Sequence, residues 1–183
     1  MDNIPNLIID LRSSDDKIRM AALNVVLELT NEPVNWIYDV WDDLFAMLND
    51  TNSFKRSIGI MVLCNLAKSD TEDRLAHSLP RLLAHTRDAK FVTSRQCILH
   101  IWKAGVTNKE HKATVIAHLK ERYKDCLEEG HYNLYRQDSI QALKHLSEAT
   151  NDLSILEMIQ ELIALETDPK YRKKYETILK SSF

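Results

Sequence analysis

An arginine recurs through this sequence at intervals near 40 residues, each time inside a stretch whose apolar residues keep helical spacing. Arg19-Met20-Ala21-Ala22-Leu23 is the first instance, Arg56-Ser57-Ile58-Gly59-Ile60 the second, and Arg136-Gln137-Asp138-Ser139-Ile140 the fourth. Arg172-Lys173-Lys174-Tyr175 is a degenerate fifth. Taking Arg95 as the third member gives intervals of 37, 39, 41 and 36 residues. A period of this length in a helical pattern means stacked helical hairpins. One hairpin cannot bury its apolar stripe alone, so each must lean on the next.

Between the arginine-bearing helices the stripes continue. Ile4, Leu7, Ile8 and Leu11 form one, and Ile37, Val40, Trp41, Leu44 and Leu48 another. Leu75, Leu79, Leu82 and Leu83 follow, then Ile116, Leu119, Tyr123 and Leu127, then Ile155, Ile159, Leu162 and Ile163. This spacing is helical from end to end. With only three glycines and four prolines in 183 residues, turn chemistry for a sheet protein is lacking. The reading is all-α: about ten helices in five antiparallel pairs, forming one domain over residues 1–183. Helix starts are marked by Asp168 before Pro169 and by two candidate capping boxes, Thr107 with Glu110 and Ser69 with Glu72. Gly130 is expected to end a helix in the left-handed conformation.

The third copy admits two alignments. Either Arg95 stands in the repeated arginine's place, or Ser94 does, which brings Cys97, Ile98 and Ile101 into better register.

Two segments carry a family likeness. Ser78-Leu79-Pro80-Arg81-Leu82-Leu83 resembles the first helix of a HEAT repeat, and Asp15-Asp16-Lys17-Ile18-Arg19-Met20-Ala21-Ala22 its acidic turn and second helix. The likeness extends over nearly the whole chain, with departures in the third and fifth copies. It implies a right-handed α-α superhelix, a solenoid whose second helices line the inner face. Arg19, Arg56, Arg136 and Arg172 are then structural residues, holding each turn against acids or carbonyls of a neighbouring repeat.

Several classes of chemistry find no support. The seven histidines fall in no zinc signature, and Cys97 with His100, or His111 with His118, supplies two ligands where a site needs more. No nucleophile elbow, reactive-cysteine context or phosphate-cradling glycine loop occurs, so no catalytic residue, metal or cofactor is assigned. Adjacent acids such as Asp42 and Asp43 point about 100° apart on a helix and do not converge. No stretch approaches the ~18 apolar residues that span a bilayer, and the opening residues carry no basic run leading into an apolar one. Three scattered cysteines suit a reducing compartment, so a cytoplasmic protein without a membrane partner is expected.

What remains is binding. The net charge of −3 is mild, yet residues 69–109 hold seven basic against four acidic side chains. With Ser94 aligned to Arg19, the inner face of the second helices would carry Met20, Asn24, Glu28, Ser57, Asn65, Gln137, Gln141 and Thr177, with a basic strip of Arg95, Lys103, Lys144 and Lys173. Such a strip would recognise an anionic surface, in the first instance on a protein. The sequence therefore reads as a non-enzymatic interaction scaffold. The competing class is a nucleic-acid-binding protein, which in general architecture resembles the alkylpurine DNA glycosylases built from HEAT-like repeats, with Trp102 and Asp138 as its nearest candidate residues. Trp36 either staples a helix entry after Pro33 or serves as an exposed anchor beside Asp39, Asp42 and Asp43.

Overall fold

A computed structural model describes residues 3–181, which form helices joined by short turns, with no strand among them. They fall into two compact units divided between His100 and Ile101. The first unit holds α1 (Ile4–Asp10), α2 (Asp16–Leu29), α3 (Ile37–Met47), α4 (Ser53–Leu66), α5 (Arg74–Ala84) and α6 (Phe91–His100). The second holds the short α7 (Trp102–Gly105), α8 (Lys109–Asp125), α9 (Tyr132–Thr150), α10 (Ser154–Ala164) and α11 (Pro169–Lys180). Five hairpins result: α1/α2, α3/α4, α5/α6, α8/α9 and α10/α11. The sequence gives no warning of α7, which follows a break in helical bonding at Ile101.

Most helices start where a short polar side chain can satisfy the free N–H groups of the first turn. Asp15 accepts from Lys17 N at 2.8 Å, Asn52 from Phe54 N at 2.9 Å, Asn108 from His111 N at 2.7 Å and Asp168 from Lys170 N at 2.8 Å. The capping boxes expected at Thr107 and Ser69 are not used. Asn108 caps α8. Asp70 caps α5 from outside the helix, accepting Arg74 N and Leu75 N, while Ser69 Oγ accepts Val34 N from the preceding hairpin. Gly130 is not left-handed either; that conformation falls on His131, with φ 66°, immediately before α9.

Stacking within each unit runs from neighbour to neighbour. In the first, α2 packs on α4 and α4 on α6, while α1 packs on α3. In the second, α9 packs on α8, α10 and α11. Leu11, Val26, Leu44, Ile60, Leu66, Leu82, Cys97 and Ile98 fill the first core, and Val115, Leu119, Tyr123, Leu143, Leu146, Ile159 and Tyr175 the second. Burial pushes the thiols of Cys97 and Cys126 upward, so both stay protonated and serve as small hydrophobes.

Polar pins cross the second-helix contacts of the first unit. Near the start of α4, Ser57 Oγ donates to Thr93 Oγ1 of α6 at 3.0 Å. Near its end, Asn65 Nδ2 donates to Thr30 Oγ1 at 2.7 Å and to Leu27 O at 3.2 Å, at the end of α2. Starts meet starts and ends meet ends, so α2, α4 and α6 run parallel. Ser57 and Asn65 are therefore buried and not on the inner surface where the sequence placed them. The second helix of a middle repeat is covered on three sides, and only a narrow strip of it meets solvent.

Candidate functional site

Three of the four arginines share one position, and Arg136 stands one residue further into its helix, where Tyr135 N bonds the cap His131 O. The backbone N–H groups of Arg19, Arg56 and Arg172 donate to the capping residues four places earlier, Asp15, Asn52 and Asp168. In the third repeat the equivalent bond runs from Ser94 N to Lys90 O at 3.0 Å. Of the two alignments, the structure takes the one with Ser94 in the arginine's place, and Arg95 stands one residue beyond it.

From that position the guanidinium reaches back to its own turn and onward to the next. Arg56 Nη1 donates to Asp50 O at 2.8 Å, while its Nε and Nη2 grip both carboxylate oxygens of Asp88 at 2.8 and 2.7 Å. Arg136 Nε donates to Tyr123 O at 3.1 Å and its Nη1 to Glu166 Oε2 at 2.9 Å. Arg19 donates to Ser13 O at 2.8 Å, pairs with Asp16 and lies 5.8 Å from the ring centre of Phe54. Arg172 donates through Nε to Glu166 O at 2.9 Å. Asp88 and Glu166 occupy matching places, each two residues before a helix cap whose N–H it also accepts: Lys90 N at 2.8 Å and Asp168 N at 3.0 Å. These contacts lock turns together and leave the guanidinium groups little capacity for a ligand.

The Asp88 carboxylate records this in its acidity. Burial alone would raise its pKa, but bonds from Arg56, Lys90 N and His85 outweigh burial and hold it at about 2. A folded-state pKa below the unfolded one means stability that is fully present above about pH 5 and lost progressively as the pH falls through 4 toward 2. The shift corresponds to about 2 kcal/mol. Acid titration of Asp88→Asn should accordingly show a flatter fall in denaturation midpoint between pH 4 and 2 than the parent protein. An unchanged slope would assign acid sensitivity to other carboxylates.

The four basic residues expected on an open strip do not share one environment. Lys144 is only 3% exposed. Its ammonium donates to Ile178 O at 2.9 Å and to both oxygens of Ser181, closing the end of α11. That corrects the expectation for this residue: the side of α9 that carries Lys144 is turned into the α9–α11 contact. Lys103 lies half-buried, with its ammonium 5.9 Å from the ring centre of Trp102. Lys173 is exposed on α11, and Arg95 is half-buried with its guanidinium 5.5 Å from the Phe91 ring centre. Asp138 is buried in α9 and Trp102 half-buried against His145, at 5.3 Å between ring centres, so neither opens onto a groove as a base-excising site would require. Among the described residues no group of three or more His, Cys, Asp or Glu side chains is placed to hold a metal ion. No helix among them is long and apolar enough to cross a membrane. Trp36 is half-buried and lines a recess of about 550 Å³ between α1 and α3, with Ile4, Ile8 and Val40.

The second helices of the first unit carry instead a row of exposed apolar side chains. Met20 of α2 is 49% exposed, Phe54 of α4 60% and Val92 of α6 53%. They surround a groove of about 170 Å³ whose floor is Leu23, Ser57, Ile58 and Met61, with Arg19 and Gln96 at its edges. Sequence reasoning found Met20 but missed Phe54 and Val92. The signal was available: both stand two residues before the arginine's place, in a column that otherwise holds Lys17, Leu134 and Lys170.

No protein-family model and no curated protein matches the sequence. Solved structures do match its fold. The chain is similar to an engineered protein over 96% of its own length and 77% of the other's, with a TM-score of 0.59 at 16% identity. It is also similar to a designed armadillo repeat protein in complex with the peptide (KR)4, over 97% and 98% of the two chains, with a TM-score of 0.50 at 12% identity. The fold is thus an all-α helical-repeat solenoid.

Proposed function

We propose that this protein is a HEAT-like scaffold of one domain, cytoplasmic and non-enzymatic, that holds a segment of another protein on the second-helix face of its first unit. The observation that carries the reading is Phe54: a large aromatic ring, more than half exposed, in the middle of a row with Met20 and Val92 over an apolar groove. Aromatic anchors at the centre of a surface recess supply most of the binding energy in protein contacts. The designed armadillo protein of similar fold, itself bound to a peptide, supports the same use of a helical-repeat surface.

Selection from a displayed library of random dodecapeptides tests the reading. Peptides that bind the parent protein should lose about 30-fold in affinity to Phe54→Asp, the loss of a central anchor. They should bind Ala117→Asp, altered on an exposed face of α8 in the other unit, as well as the parent. A library that yields no peptide sensitive to Phe54→Asp would overturn the scaffold reading.

A further inference from the structure

The rim of the groove specifies more than an apolar occupant. At the N-terminal ends of α2, α4 and α6 every carboxylate is already engaged. Asp15 caps α2, Asp16 pairs with Arg19, Asp50 accepts Asn52 N at 2.7 Å and faces Lys55 at 3.9 Å, and Asp88 is held by Arg56. Two exposed ammonium groups on the same rim have no such partner: Lys17, three residues before Met20 and so on the same side of α2, and Lys90, the capping residue of α6 two places before Val92. Among the described residues, no carboxylate oxygen lies within 4.0 Å of either ammonium. Three parallel helix N-termini add positive partial charge along that edge. The opposite direction along α2 leads to Asn24 and then Glu28, so the groove is basic at one rim only.

Its dimensions specify the backbone of the occupant. A volume of about 170 Å³ accepts single side chains, whereas a helix is ~10 Å across with its side chains. Neighbouring packed helices stand ~8–10 Å apart, and an extended chain advances ~3.3 Å per residue. About three residues of extended chain therefore cross from one helix to the next.

We propose that the groove takes a short extended protein segment in which a bulky apolar residue is flanked by carboxylates. The apolar side chain enters between Met20, Phe54 and Val92, and the carboxylates meet Lys17 and Lys90. This rests on the scaffold reading above and adds the chemistry of the partner to it. Complementary charge at an exposed rim sets selectivity and association rate, while the anchor supplies the affinity.

The test uses three fluorescein-labelled nonapeptides, each with a central phenylalanine in a Ser/Gly background. The residue two places before it and the residue two places after it, which face the same way as the phenylalanine in an extended chain, are both aspartate, both asparagine or both lysine. Fluorescence anisotropy with the full chain should rank aspartate first, with the lysine peptide roughly tenfold weaker, as expected for two gained against two opposed surface charges. Raising the salt concentration should narrow that gap. The double variant Lys17→Glu, Lys90→Glu should reverse the order, and Phe54→Asp should abolish binding of all three. Equal or tighter binding of the lysine peptide to the parent protein would overturn the proposal and leave the scaffold reading standing. So would library-selected binders, sensitive to Phe54→Asp, that lack flanking acids. If neither the nonapeptides nor the library yields a Phe54-dependent binder, both readings fall.

Discussion

Arg136→Ala is expected to lower the stability of the protein by about 3–5 kcal/mol, the range for breaking a buried ion pair from one side. The Arg136 and Glu166 side chains are 3% and 1% exposed, and the substitution removes the ion-pair partner of the Glu166 carboxylate in a site closed to water. It also removes the donor to Tyr123 O and a guanidinium lying 4.5 Å and 5.6 Å from the ring centres of Tyr123 and Tyr132. The double variant Arg136→Met, Glu166→Gln should recover much of the loss, because it removes the stranded charge and keeps volume near Tyr123. Chemical denaturation followed by circular dichroism measures both. A midpoint unmoved by Arg136→Ala would show that the turn is held by the remaining contacts alone.

Gly59→Val should cost about 3 kcal/mol, at the upper end of what overpacking a core does. A Cβ at this position would stand 3.0 Å from Met47 Cβ and 3.2 Å from Leu44 O. The second neighbour is main chain of α3 and cannot turn aside as a side chain could. Alanine already forces α3 and α4 apart by a few tenths of an ångström, and valine brings two further methyl groups into the same seam. By contrast, Gly130→Ala meets nothing within 4 Å and should leave the melting temperature within about a degree. Equal melting temperatures for Gly59→Val and the parent would mean that the α3–α4 spacing is far softer than its packing implies.

The fold class was legible because it depends on periodicity, which a single sequence displays directly. Stripes such as Ile37, Val40, Trp41 and Leu44 could belong only to helices, and repetition near 40 residues could belong only to stacked pairs. Details that depend on competition between neighbouring polar groups were harder to read. Thr107 and Asn108 are both good caps, and Asn108 takes the place while the Thr107 hydroxyl is engaged with Ala104 O and His111 Nδ1. Gly130 is the better left-handed residue in isolation, yet His131 takes that conformation. The inner face was misjudged for a different reason. Helical periodicity separates a core side from a non-core side, but it cannot say that the non-core side of α4 is itself flanked by α2 and α6. Ser57 and Asn65 looked like surface residues for that reason, and Lys144 likewise on α9. The polar residues there are spent on neighbouring helices, and the apolar ones, Phe54 and Val92, are left outside.

The pins at the two ends of α4 have a consequence for how a partner would be met. Apolar ridges settle against one another with some freedom, and a helix held only by them can slide or rock along its neighbour. A hydroxyl pair at 3.0 Å, with Asn65 bonded near the far end, removes that freedom. The wall of the groove therefore stands in its final arrangement before anything arrives. Little conformational entropy is left for the protein to lose on association, and almost all of the loss falls on the incoming chain. Affinity on such a surface is governed by the stiffness of the ligand. A cyclised or proline-rich segment would gain far more than any tightening of the scaffold could add.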